Sequence, residues 1–324
     1  MPAARSSQGL ATSRARHLPE GPGELLRDRR EEVYAALSEK NLVPRVLLQD
    51  SGTRVPLPDA SVQLVVTSPP YPYVEMWDGL FEAALGMSPG TMSRDPSRLS
   101  EIHRHLARTW RECARLLQPG GILCVNIGDA TRSVAGEFRL FPNHAHVVQT
   151  CEELGLVSLV PILWKKPTNK PNSFLGSGFA PPNAYVTLDC ESILVFRKGG
   201  RRTIPPHDVL RAASQFSKVE RDTWFSQVWT VRAARQDDGH ATFPEEIPRR
   251  LIRMFSLLGD TVLDPFAGTG STLRVARRLG RRPVGIECDP ALVEPLRKEL
   301  PERPPDLDEV LDALLSQYAA VRGP

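Results

Sequence analysis

The stretch Val62-Gln63-Leu64-Val65-Val66-Thr67-Ser68-Pro69-Pro70-Tyr71 constrains this chain more than any other. The apolar run 62–66 reads as a buried strand, and it stops at two consecutive prolines. Proline donates no ladder hydrogen bond and pushes its predecessor toward extended geometry, so the chain has to leave the sheet at this point. The outcome is a stiff loop at the carboxyl end of a strand, where open α/β sheets bind their ligands. A hydroxyl, backbone carbonyls and an aromatic ring are presented there together. A proline-terminated strand with a packing tyrosine has the same local sequence, and the chain holds three further Pro-Pro pairs, so the rest of the chain has to choose between the two.

Strand and helix patterns alternate along the rest of the chain. Residues 23–40 carry a helical pattern, and Arg45–Asp50 a short strand ending in an acid. A helix is expected over 79–85, a loop over 86–97, and a helix capped by Ser100 and running to about Leu117, with Ile102, Leu106, Trp110 and Cys113 on one face. Pro119-Gly120-Gly121 ends it before a strand at 122–127. A helix at 143–154, a strand at 157–164, a long Pro/Gly/Asn/Ser loop at 165–183 and a strand at 191–196 follow. Helix 245–258, strand 261–264, a helix to Leu279, strand 283–287 and a short acidic amphipathic helix near 306–318 complete the series. Such alternation argues for a doubly wound α/β sheet.

Composition removes several classes. With 324 residues and 41% apolar content the chain can bury a full core. No apolar run approaches the ~18–20 residues needed to cross a bilayer, so no membrane partner is expected. Five widely spaced cysteines with no CxxC pair support neither a zinc site nor a disulfide framework, so no metal is expected and the compartment is read as reducing. Residues 1–23 read as a flexible tail. Net charge is only +3, but residues 197–235 carry nine Lys/Arg against three acids, a net +6 that leaves the remainder at −3. A basic window of this kind suits a phosphate-tracking surface or a solvated face.

A second motif, Asp264-Pro265-Phe266-Ala267-Gly268-Thr269-Gly270-Ser271, lies between a strand and a helix. Its glycines permit a tight turn and let a ligand approach bare backbone near a helix N-terminus. Glu287 ends the next strand, at the spacing of an acid that accepts hydrogen bonds from ribose hydroxyls. The ordered set points to an adenosine-type cofactor.

With both motifs in hand, the sequence resembles the DNA amino-methyltransferases of the permuted β group over about residues 42–300. Thr67 to Tyr71 matches that family's catalytic loop and Asp264 to Gly270 its S-adenosylmethionine loop. Pro119-Gly120-Gly121 through Asn126 and Asp129, Trp164 to Pro167, Glu191 to Lys198 and His240 to Arg250 resemble further family segments. The resemblance implies a circularly permuted, doubly wound seven-stranded methyltransferase fold. Its strands would lie in the spatial order 45–49, 283–287, 261–264, 62–66, 122–127, 191–196 and 157–163, so loops about 200 residues apart would meet over one crevice. It divides the chain into a tail and helix (1–41), a catalytic half (42–197), a target-recognition insert (198–239), a cofactor half (240–300) and a C-terminal tail (301–324).

The implied reaction moves a methyl group from S-adenosylmethionine to the exocyclic amine of a base flipped out of double-stranded DNA. Ser68 and the Pro69 carbonyl would accept the amine's hydrogens, with Pro70 stiffening the loop and Tyr71 stacking on the base. Asp50, Thr67, His240, Phe243, Pro244, the segment Asp264–Ser271 and Glu287 would hold the cofactor. Lys165, Lys166, Lys170, Arg201, Arg202, Lys218 and Arg221 would contact DNA. Met76-Trp77-Asp78 would close over the base or pack in the core. The target is expected to be cytosine N4, since relatives with Ser at position 68 mostly act on cytosine, with adenine N6 as the alternative. A prokaryotic cytoplasmic protein is expected, as a monomer or homodimer, either paired with a restriction endonuclease or acting alone. Two other classes share these features: a same-fold enzyme acting on RNA, protein or a small molecule, and a nicotinamide enzyme or non-catalytic cofactor module. The basic window argues against a small-molecule substrate, and no proton-relay residue for a dehydrogenase stands near the glycine loop.

Overall fold

Proline and glycine punctuation, together with strands buried on both faces, sets the architecture. The computed structural model describes residues 22–134, 136–167, 186–232 and 244–320; His240, Phe243 and Lys170 lie outside them. In chain order the strands are β1 (Arg45–Leu48), β2 (Val62–Thr67), β3 (Leu117–Ile127), β4 (Ala130–Val134), β5 (Glu137–Phe141), β6 (Leu156–Ser158), β7 (Ile162–Lys165), β8 (Cys190–Lys198), β9 (Val228–Thr230), β10 (Thr261–Asp264) and β11 (Arg282–Glu287). The helices are α1 (Pro22–Asp28), α2 (Arg30–Ser38), α3 (Asp78–Ala84), α4 (Leu99–Leu116), α5 (Asn143–Glu153), α6 (Val209–Ala213), α7 (Lys218–Trp224), α8 (Glu246–Phe255), α9 (Ser271–Arg278), α10 (Pro290–Glu299) and α11 (Leu307–Ala320). Among the described residues no helix is long and apolar enough to cross a membrane.

The main sheet runs β1-β11-β10-β2-β3-β8-β7-β9, which contains the expected order of seven strands. From β1 to β3 the neighbours are parallel; β8 is antiparallel to both β3 and β7. Alternation along β2 explains why the run 62–66 carries almost no polar residue. Leu64 and Val66 enter one core, shared with α2, α8 and α11, while Val65 enters the other, shared with α4 and α5. A sheet covered on both faces needs apolar side chains pointing both ways.

The structure corrects several local expectations. The strand at 157–164 is split into β6 and β7 on either side of Pro161, which has no N–H to give the ladder. Arg98, not Ser100, is the N-cap of α4, and Leu117 opens β3 opposite Val62, ahead of a register shift in the pairing with β2. The hairpin β4–β5 was not anticipated. Within the segment 198–239, described as far as residue 232, several side chains also pack on the main body. Leu210, Ala213, Trp224, Trp229 and Val231 join the core, and β9 extends the sheet beside β7. α11 lies where a short C-terminal helix was expected, and its Val310, Leu311, Leu314 and Tyr318 pack in the same core as Leu26, Val33 and Leu37.

Candidate active site

β10 and β2 are paired neighbours, with Val262 opposite Leu64 and Leu263 opposite Val65. The loops that follow them therefore emerge side by side. Thr67 Oγ1 donates to Asp264 Oδ1 at 2.6 Å, joining the two motifs directly. Asp264 Oδ1 also accepts from the Phe266 amide at 3.1 Å. Burial pushes the Asp264 carboxyl up to about 7, against the opposing pull of these two donors.

The two loops border one cavity of about 1330 Å³. On one side it is lined by Asp50, Asp264, Pro265, Phe266, Ala267, Gly268, Thr269, Ser271 and Glu287, on the other by Ser68, Pro69, Pro70, Tyr71 and Trp77. Glu287 Oε2 accepts from the Gly268 amide at 2.8 Å, and its Oε1 from the amides of Cys288 and Asp289 at 2.8 and 3.0 Å. The carboxylate is thereby oriented at its strand end with lone pairs remaining for further donors. Gly268 has φ +51°, and a Cβ there would meet nothing closer than 4.0 Å, so the turn leaves the ligand's approach open. Gly270 differs: it does not line the cavity, and a Cβ would come within 2.2 Å of Leu296 Cδ2. Its role is to let α10 pack close. Pro244 is buried at the entry to α8, away from the cavity lining.

The catalytic loop is held from behind. Asn143 Nδ2 donates to the carbonyls of Pro72 and Gly128, both at 3.0 Å, tying the loop after β2 to the loop after β3. Tyr73, at φ +62°, stacks on Phe141 with ring centroids 3.8 Å apart and donates to the Asp95 carbonyl at 2.6 Å. A non-glycine residue in the left-handed region persists only where its surroundings hold it there.

The hydroxyl of Tyr71 is engaged at the floor of the cavity. It donates to Glu191 Oε2 at 2.8 Å, accepts from Asn126 Nδ2 at 2.6 Å, and lies 3.0 Å from Ser68 Oγ. Lys166 pairs with the other oxygen of Glu191. Burial, then the Glu191 charge, raises the Tyr71 phenol well above its ordinary value. Asn126, Lys166 and Glu191 all line the cavity. The family resemblance includes Asn126, Lys166 and Glu191 as members of matched segments, and Lys166 also as a DNA contact. Glu191 reaches the site because β8 runs antiparallel to β3, so its first residues lie at the edge where β2 and β3 end. His105, Arg108 and Thr109 of α4 also line the cavity, and Arg108 bonds Asp50 at 3.1 Å. Their only signal in the sequence is a polar flank on an amphipathic helix.

The expected DNA contacts disperse. Arg202 is held by Asp260, with Nη2 2.9 Å from Oδ1, just before β10 begins. That is the amino-terminal edge of the parallel strands, opposite the cavity. The reason is topological: the chain leaves antiparallel β8 where β3 starts, and a Cβ on Gly120 would lie 2.4 Å from the Arg202 amide nitrogen. The expected phosphate contacts of Arg202 and its neighbour Arg201 would therefore lie at that far edge rather than at the cavity. Lys218 and Arg221 both pair with Asp222 on α7, and Lys165 lies 3.8 Å from Asp189. Of the described cations in that expectation, Lys166 alone lines the cavity.

Comparison with known proteins agrees with this geometry. A family model described as DNA methylase matches residues 62–298. The chain is 51% identical over 266 residues to the Type II methyltransferase M.MjaI of Methanocaldococcus jannaschii, covering 76% of this chain and 88% of that protein. It is 42% identical over 258 residues to the Type II methyltransferase M.MthZI of Methanothermobacter thermautotrophicus, covering 76% and 73%. The putative DNA modification methylase TTHA0409 of Thermus thermophilus, crystallised with S-adenosyl-L-methionine, superposes with a TM-score of 0.62 at 36% identity, covering 81% of this chain and 98% of that one. The PvuII DNA methyltransferase shares the fold with a TM-score of 0.56 at 16% identity, covering 87% and 97%.

Proposed function

The chain belongs to the DNA methylase family of N4/N6 amino-methyltransferases, and from that premise we propose that it methylates the exocyclic N4 of a cytosine flipped out of double-stranded DNA. The cofactor is S-adenosylmethionine, which supplies an electrophilic methyl group on a positively charged sulfur. The residues at the strand ends fit it. Glu287, oriented by three backbone amides, has lone pairs for ribose hydroxyls, and Asp50 and Phe266 border the same compartment.

An exocyclic base amine is a poor nucleophile because its lone pair is delocalised into the ring. Two acceptors at its hydrogens favour a pyramidal nitrogen and free the lone pair for attack. Ser68 and Pro69 follow β2 and line the cavity that Glu287 borders from β11, which supports Ser68 Oγ and the Pro69 carbonyl as those acceptors. The observation that carries cytosine rather than adenine is the neutral hydroxyl at position 68. In the resembling family Ser at this position mostly accompanies cytosine enzymes, and Asp is common among adenine enzymes.

Mass spectrometry of nucleosides from DNA treated with the purified protein and S-adenosylmethionine tests the reading. N4-methylcytosine is the expected product. N6-methyladenine alone would overturn the choice of base, and a Ser68→Ala variant should lose turnover while keeping cofactor affinity.

A further inference from the structure

The hydrogen bonds around Tyr71 have only one consistent direction. A carboxylate accepts and never donates. Glu191 Oε2, 2.8 Å from Tyr71 Oη, therefore takes the single phenolic proton. Asn126 Nδ2 donates to Tyr71 Oη at 2.6 Å and to Glu191 Oε2 at 2.7 Å. The Asn126 amide cannot be turned round, because its oxygen would then face the carboxylate. In the orientation it has, Asn126 Oδ1 is buried with no hydrogen-bond partner among the described residues. The contact of 3.0 Å between Ser68 Oγ and Tyr71 Oη could run either way in isolation. With the phenol's proton already committed to Glu191, only Ser68 can donate in it. The serine proton is turned toward Tyr71, and the lone pairs of Oγ remain for the cavity.

We infer that Glu191 is a positioning residue that sets the direction of the chain Ser68–Tyr71–Glu191, so that Ser68 meets the base purely as a hydrogen-bond acceptor. This rests on the amine-methylation reading and deepens it, since it names what the site selects. An acceptor-only serine pairs with the N–H of an amino base. It repels the carbonyl oxygen that thymine or uracil carries at the position of the cytosine amine, leaving two acceptors face to face. Lys166, drawn from the end of β7, neutralises the Glu191 charge from the other side. The high pKa of Tyr71 keeps the phenolic proton in the chain across the working pH range.

Glu191→Gln tests this with little change of shape. A glutamine amide can donate to Tyr71 Oη, which frees the phenolic proton to turn on Ser68. Turnover should fall by about 10- to 100-fold, with DNA KM and cofactor Kd within about twofold of wild type. The Tyr71 resonance in protein labelled with 13Cζ-tyrosine, assigned by its loss in Tyr71→Phe, should move in Glu191→Gln. In the Tyr71→Phe background, where the chain is already cut, Glu191→Gln should cost nothing further. Unchanged turnover in Glu191→Gln, a loss residing wholly in KM, or losses that multiply in the double variant would each overturn the inference. If the wild type transfers no methyl group to DNA while the Tyr71 resonance still moves, the amine-methylation reading falls and the hydrogen-bond direction stands.

Discussion

Asp264 shows how one residue can serve two loops and carry a pH signature. It accepts from Thr67 of the catalytic loop and from Phe266 of the glycine turn, and burial pushes its carboxyl up to about 7. In the unfolded chain it would ionise near pH 4. Between about pH 4 and 7 the folded state therefore holds more protons than the unfolded state, and the Asp264 contribution to stability falls as pH rises through that window. The slope is at most about 1.4 kcal/mol per pH unit. Asp264→Asn cannot ionise, so the stability of the variant minus that of wild type should climb from pH 4 to 7 and level off above. Urea denaturation of the two proteins across that range measures it, and a flat difference would refute the raised carboxyl. The acid itself was legible as the end of a strand before a glycine turn. Its bond to Thr67 was not, because the partners are 197 residues apart.

Among the elements, α4 and α5 do more than cover the sheet. Asn143, at the first position of α5, spends both Nδ2 hydrogens on the carbonyls of Pro72 and Gly128. Its Oδ1 must then accept, so His103 Nε2 of α4, 3.0 Å away, carries the proton. Burial holds His103 down at about 4, which keeps it a neutral single donor near neutral pH. Asn143→Ala should cost about 1–3 kcal/mol for each buried group left unpaired, and should lower turnover more than cofactor affinity. Chemical denaturation and calorimetric titration of S-adenosylmethionine separate the two effects. A variant that loses stability but keeps full turnover would show that the clamp is not needed to shape the catalytic loop. Sequence periodicity located both helices and the buried face of α4. It had no means of showing that an asparagine at a helix start reaches the backbone of two distant loops.

At the scale of the molecule, the first and last described helices close one core. α1 and α2 pack with α11, and Arg30 bridges to Asp308 and Asp312 across the junction. Tyr318 donates to the Ala213 carbonyl at 3.0 Å and lies under the Arg253 guanidinium, 4.7 Å from its ring centroid. Arg253 in turn pairs with Glu220 at 2.8 Å, both buried. Leu311 is completely buried, so Leu311→Ala should destabilise the protein by about 2–5 kcal/mol, as measured by thermal or urea unfolding. A C-terminal helix that did not pack on the core would give a change within about 0.5 kcal/mol.

Local chemistry was enough to read the strands at 45–49, 62–66, 122–127, 191–196, 261–264 and 283–287, because apolar runs and their Pro or Gly stops act within a few residues. It was also enough to identify Ser68–Tyr71 and Asp264–Ser271 as loops at strand ends, since proline and glycine restrict or release their own backbone. Everything that depends on strand direction belonged to the tertiary structure. The reversal of β8 brings Glu191 under Tyr71 and carries Arg202 to the far edge of the sheet, two outcomes of a single antiparallel pairing. Charge density along the chain reported how basic the segment after β8 is. Where that charge points was decided by the fold, because a side chain's direction follows from the pairing of its strand with neighbours remote in sequence.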